Sequence, residues 1–163
     1  MTTPIPPGRE GLIPHLVCGS CEKAIEFYKQ AFGAKEVGRM PSPDGRIMHA
    51  EIEIDGLMVF LVDDFPEYCG GKSQTPQALG GTPVTIHRYV EDCDATIKQA
   101  VEAGATPMMP VQDMFWGDRY GSVIDPFGHC WSVATHNRDL THEEIVEGMQ
   151  AAFDAPHEQG APG

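Results

Sequence analysis

Apolar and polar positions along the chain follow one order of patterns, and then the same order again. Leu12–Cys18 alternates and predicts a strand. Glu22–Phe32 follows, with Ala24, Ile25, Tyr28, Ala31 and Phe32 on one helical face, Ser20 placed to cap it and Gly33 to end it. Three strands are then expected, at Glu36–Met40, Arg46–Ile54 and Leu57–Asp63. The first two are separated by the turn sequence Ser42-Pro43-Asp44-Gly45, and the last two by the hairpin dipeptide Asp55-Gly56. Phe65–Pro83, broken by Gly and Pro, reads as a connection.

The order then restarts. Val84–Val90 predicts a strand, and Ala95–Ala103 a helix with Asp92 or Asp94 as its cap and Gly104 as its stop. Met108–Met114, Tyr120–Ile124 and Cys130–Thr135 predict three strands, the last two joined by the turn Asp125-Pro126-Phe127-Gly128. The offset is roughly 72 residues, which maps His15 to His87 and Ile25 to Ile97. Thr141-His142-Glu143-Glu144 fits a capping box ahead of a final helix, Ile145–Phe153, and the tail from Ala155 is polar and expected to fray. One domain of residues 1–163 is therefore expected: module one at 11–64, a connection at 65–82, module two at 83–136 and a helical extension at 137–163.

Composition narrows the function. The chain is 41% hydrophobic, enough for a sizeable core, and no stretch is long and apolar enough to span a membrane. A net charge of −13 opposes both nucleic acid and anionic membranes as partners. Met1–Glu10 lacks a signal-peptide pattern, so a cytoplasmic location is expected. The five cysteines show no disulfide framework. Cys18-Gly19-Ser20-Cys21, between a strand and a helix start, is a candidate redox dithiol or simply a pair of small residues in a tight loop.

Two runs resemble a known family. Glu22-Lys23-Ala24-Ile25-Glu26-Phe27-Tyr28 with Phe32-Gly33-Ala34 is similar to the first helix of the vicinal oxygen chelate superfamily, which includes glyoxalase I, bleomycin-resistance proteins and extradiol dioxygenases. Phe115-Trp116-Gly117-Asp118-Arg119-Tyr120-Gly121 with Asp125-Pro126-Phe127-Gly128-His129-Cys130-Trp131 resembles its PhnB-like branch. The resemblance implies an α+β fold of two tandem βαβββ modules, whose curved mixed sheets form a central cup with helices on the outer faces. It also implies a homodimer. Metal enzymes of the superfamily carry ligands on the first and last strand of each module. Those positions fall here on Ile13, on Thr85, on Ser132 and near Phe60 or Leu61, none a normal ligand for a divalent metal.

Alternation indicates what would line the cup instead. If Ile13 and Thr85 point inward, so do His15 and His87. In the third strand Met48, Ala50, Ile52 and Ile54 suit packing under the helix, which leaves Ile47, His49, Glu51 and Glu53 on the other face. His15, His49, Glu51 and His87 are thus candidates for a displaced divalent-metal site, for acid–base work, or for hydrogen-bonded residues of a half-wet cavity. Trp116 can stack on a flat ligand and Arg119 can bind an anionic group; alternatively Trp116 is core and Arg119 pairs with Asp118. His129 is expected at a turn or surface, and His136, His142 and His157 in solvent. Met108-Met109 is expected in the core or the cavity wall. The function expected is binding of a small apolar or aromatic molecule without a cofactor. The alternatives are a metal-dependent lyase, isomerase or oxygenase, and a Cys18/Cys21 redox sensor.

Overall fold

The structure, a computed structural model, describes residues 4–155. Module one comprises β1 (His15–Cys18), α1 (Cys21–Phe32), β2 (Lys35–Pro41), β3 (Ile47–Ile54) and β4 (Leu57–Asp63). Module two repeats it as β5 (Thr85–Tyr89), α3 (Cys93–Glu102), β6 (Thr106–Asp113), β7 (Asp118–Ile124) and β8 (Cys130–His136). Each module forms its own four-stranded mixed sheet, ordered β1-β4-β3-β2 and β5-β8-β7-β6, with the first and last strands of each module paired in parallel. The two sheets are curved and do not close on each other.

Local chemistry accounts for the helix limits. Ser20 Oγ accepts the Lys23 N–H, and Asp63 Oδ1 accepts the Cys21 N–H at 2.6 Å, so β4 helps to cap α1. Gly33 ends α1 in the left-handed conformation and donates to Lys29 O. In α3 the cap is Asp92, whose Oδ1 accepts the Ala95 N–H at 2.9 Å, so the helix starts two residues earlier than its apolar pattern indicates. The connection contains a 3-10 turn at Pro66–Tyr68 and a short helix, α2 (Pro76–Leu79), capped by Thr75. It packs over the Asp125–Gly128 turn, where a Cβ on Gly128 would lie 2.7 Å from Pro76 Cβ. The final helix, α4 (His142–Asp154), has the full capping box: Glu144 N–H donates to Thr141 Oγ1, and Thr141 N–H donates to Glu144 Oε2. His157 and the rest of the tail from 156 lie outside the described residues.

Strand alternation fails where the strand pairing is irregular. Met40 pairs with His49 but Pro41 pairs with Ile47, so β3 carries one extra residue at that point. The bulge turns Ile47 into the core at 5% exposure and leaves Met48 46% exposed, the reverse of simple alternation. Met108 likewise is exposed rather than core, next to an irregularity in the β6–β7 pairing.

Both helices pack on one face of their sheets and against each other, and the largest core side chains collect between them. Trp131 contacts Tyr28 and Phe32, at ring-centroid distances of 5.5 and 4.8 Å. Asp125, buried in the β7–β8 turn, accepts four hydrogen bonds. Tyr28 Oη and Trp131 Nε1 donate to Oδ2 at 2.6 and 2.9 Å, and the Phe127 and His129 N–H groups donate to Oδ1. His129 is buried too, against expectation, with Nε2 2.9 Å from the Val17 carbonyl of β1. The turn thus reaches from module two into module one, which its local sequence does not announce. Burial, and then Asp125, push the Tyr28 hydroxyl pKa well up, so it stays a donor. Tyr28→Phe is expected to destabilise the protein by about 1.5–3 kcal/mol in urea denaturation, the range for a bond to a charged group. A loss below about 0.5 kcal/mol would show that the modules do not depend on this contact.

Candidate functional site

The sheet faces away from the helices carry the candidate chemistry, and they carry it as two separate groups. On the first sheet His15, His49 and Phe60 form an edge-to-face cluster with centroid distances of 6.1, 4.7 and 6.0 Å. Glu51 Oε1 lies 3.3 Å from His49 Nε2, and Arg9, from the segment before β1, pairs with Oε2. Partial burial and then the neighbouring His49 lower the His15 pKa, which favours neutral imidazole. Burial alone would raise the Glu51 pKa, but the hydrogen bonds from Arg9 and His49 outweigh it and hold the carboxyl below its usual value. Nothing in the residue pattern marks Arg9 for this role, because its contact spans 42 positions.

On the second sheet the register builds an aromatic face. Tyr89 of β5 and Tyr120 of β7 both lie opposite Ala134 of β8, and His87 lies opposite Ser132. His87 Nδ1 hydrogen-bonds Ser132 Oγ at 2.8 Å. The His87 ring meets Tyr89 edge-on at 4.9 Å and lies parallel to Tyr120 at 6.1 Å, and Trp116 meets Tyr120 edge-on at 5.9 Å. Asp118, 4% exposed, anchors the group. Its Oδ2 accepts Tyr89 Oη at 2.9 Å and Trp116 Nε1 at 3.0 Å, and its Oδ1 is 2.8 Å from His136 Nδ1. The other nitrogen of His136 reaches Asp139 at 3.0 Å. Tyr89 is missed by the sequence pattern, while Tyr120 stands there only as a hairpin residue and Asp118 only as a partner for Arg119, although strand parity could have placed all three together. Tyr89 is two residues beyond His87, and Asp118 and Tyr120 share a face of β7.

The structure therefore brings His15, His49 and Glu51 together, and links His87 to Trp116 through Tyr120, with the two groups on different sheets. The reason is topological: β1 and β5 are each an edge strand of a different sheet. Among the described residues no three or more His, Cys, Asp or Glu side chains are grouped to hold a metal ion. Arg119 lies on the opposite face of β7 from Asp118, as parity requires. It pairs there with Asp94 at the start of α3 and with Asp113. It neither contacts Asp118 nor joins the aromatic face. His136 is exposed, as expected, and also hydrogen-bonds two carboxylates.

Two clefts run along the seam between β1 and β5. One, of about 520 Å³, is lined by Ile13, His15, Val84, Thr85 and Ile86. The other, of about 380 Å³, is lined by Ile13, Met58, Ile86, His87 and Tyr89. Both fall within the size range of small-molecule sites; the first is largely apolar, and the second also carries Glu10, Asp55 and Arg88. Ser132, at a position where the family resemblance assigns a ligand, is committed to His87, while Ile13 and Thr85 form cleft wall.

The sequence profile of the Glyoxalase/Bleomycin resistance protein/Dioxygenase superfamily matches residues 12–133, and the chain belongs to that superfamily. An uncharacterized protein of Mycobacterium tuberculosis is 51% identical over 143 residues, covering 88% of this chain and 84% of its own. The crystal structure of TioX from Micromonospora sp. ML1 superposes with a TM-score of 0.58 at 28% identity, over 77% of this chain and 99% of that one. A PhnB protein from Bacillus cereus shares the fold, with a TM-score of 0.58 at 16% identity over 77% of this chain and 99% of its own. No helix among the described residues is long and apolar enough to cross a membrane.

Cys18 and Cys21 are both fully buried and unbridged. The hydrogen bond with Cys21, then burial, drive the Cys18 thiol pKa up, opposite to what a reactive thiolate needs. With a thiol reagent, Cys69 is expected to react in the native protein, and Cys18, Cys21 and Cys93 only on unfolding. Native labelling of Cys18 or Cys21 would reopen the redox reading.

The Asp139 and Asp118 hydrogen bonds raise the His136 pKa. A raised folded pKa stabilises fully below the unfolded value, about 6.5, and the effect is lost as pH rises through the folded value. The urea midpoint should therefore fall as pH rises from about 6 through neutrality. His136→Gln should flatten that slope, and an unchanged slope would exclude His136 as its source.

Proposed function

We propose that this protein binds a small apolar or aromatic molecule along the β1–β5 seam and against the aromatic face of the second sheet, without a metal ion. The carrying observation is the continuity of the second cleft with that face, since His87 and Tyr89 belong to both. The apolar walls favour burial of a hydrophobic body, at about 25 cal/mol per Å² removed from water. His87 has its Nδ1 engaged by Ser132, which leaves Nε2 as a polar handle for orienting a ligand.

The inherited metal site does not fit these residues. Ile13 and Phe60 offer no donor atom, Thr85 and Ser132 are neutral hydroxyls, and the His15 and His87 groups sit on separate sheets. Two imidazoles and a carboxylate do meet on the first sheet, but Glu51 is already paired with Arg9.

Titration calorimetry with quinoline, a flat neutral aromatic, tests the reading. Saturable binding is expected, unaffected by added Zn²⁺ or Mn²⁺. Ile13→Trp, which fills both clefts, should abolish it, and His87→Ala should weaken it about three- to tenfold, the worth of one neutral hydrogen bond. Binding that requires the metal would overturn the metal-free reading. Binding indifferent to both substitutions would move the site elsewhere.

A further inference from the structure

We propose that the aromatic face of the second sheet selects flat organic cations, an inference that rests on the ligand reading above and names its class. Three independent features point there.

The first is ring geometry. Tyr89, Tyr120, Trp116 and His87 surround the small side chains Ala134 and Ser132 on one face of the sheet. A delocalised cation lying across these rings meets their negative π-faces, worth roughly 0.5–2 kcal/mol per well-placed ring depending on desolvation. Tyr89 is 61% exposed and so available to a ligand.

The second is polarisation. The Tyr89 hydroxyl and the Trp116 indole N–H both donate to one buried carboxylate oxygen of Asp118. Each bond pushes electron density into its ring and deepens the attraction for a cation. The Asp118 carboxylate sits at the edges of the Tyr89 and Trp116 rings, through their polar groups.

The third is the charge around the face. Residues 83–136 contain seven acidic side chains (Glu91, Asp92, Asp94, Glu102, Asp113, Asp118, Asp125) against three basic ones (Arg88, Lys98, Arg119). All three basic groups are paired: Arg88 with Asp55, Lys98 with Glu102, and Arg119 with Asp94 and Asp113. His136 lies between Asp118 and Asp139, so two carboxylates face one imidazole ring. The net charge of −13 draws cations toward the protein from a distance.

The test compares 1-methylquinolinium with quinoline, two flat molecules of nearly the same shape, one permanently charged and one neutral near pH 7. By calorimetry on the full chain, the cation is expected to bind about tenfold more tightly. Tyr120→Leu and Tyr89→Leu should each remove most of that preference. Tyr120→Phe, which keeps the ring, should retain it and so exclude a folding defect as the cause. Equal affinity for the two probes, or a preference for quinoline, would overturn the cation inference and leave the aromatic-ligand reading standing. Failure of both probes to bind would overturn both. A cation preference that survives both leucine variants would place the cation elsewhere and defeat the proposal.

Discussion

The buried carboxylate of Asp125 is the contact on which the two-module architecture depends. An unpaired charge in this position would cost several kcal/mol in desolvation. Here it accepts four donors, and they come from different places: the Phe127 and His129 amides from its own turn, Trp131 from β8, and Tyr28 from α1 of the other module. The same turn carries His129, which bonds to the Val17 carbonyl of β1. A short turn in module two therefore fixes the position of the helix and the first strand of module one. The seam clefts exist because that docking leaves β1 and β5 adjacent but not hydrogen-bonded to each other.

The two modules share a topology and differ in chemistry. His15 and His87 occupy matching positions, each opposite a residue of the last strand: Phe60 in one case and Ser132 in the other. The first-sheet histidine lies in an imidazole–phenyl cluster next to an ion pair. The second-sheet histidine bonds to a hydroxyl and sits among aromatic rings. Duplication has supplied two equivalent scaffolds, and the residues facing away from the helices have made them unequal. A single symmetric metal centre does not follow from such a pair. The first sheet carries a polar group of imidazoles and an ion pair, and the second an aromatic one.

Asp118 plays for the aromatic face the part that Asp125 plays for the core. It gathers Tyr89, Trp116 and His136 from three separate segments onto one carboxylate. The hydrogen bonds hold its pKa down despite burial, so the charge persists at neutral pH. Tyr89 and Trp116 are thus held at their edges by a buried group.

Much of this was legible in the amino-acid sequence. The repeated order of elements, the caps at Ser20, Asp92 and Thr141, the stop at Gly33 and the hairpin at Asp55-Gly56 are local properties, decided within a few residues. Strand parity placed His15, His49, Glu51 and His87 away from the helices for the same local reason. Parity could also have revealed Tyr89 and set Arg119 apart from Asp118. Tertiary structure decided what depends on long-range pairing. It sent the histidines to two sheets, because β1 and β5 became edges of separate ladders. It buried Ile47 and exposed Met48, because the bulge against β2 exists only once the strands pair. It joined Arg9 to Glu51, Tyr28 to Asp125 and Arg119 to Asp94, contacts between residues 42, 97 and 25 positions apart that no local pattern encodes.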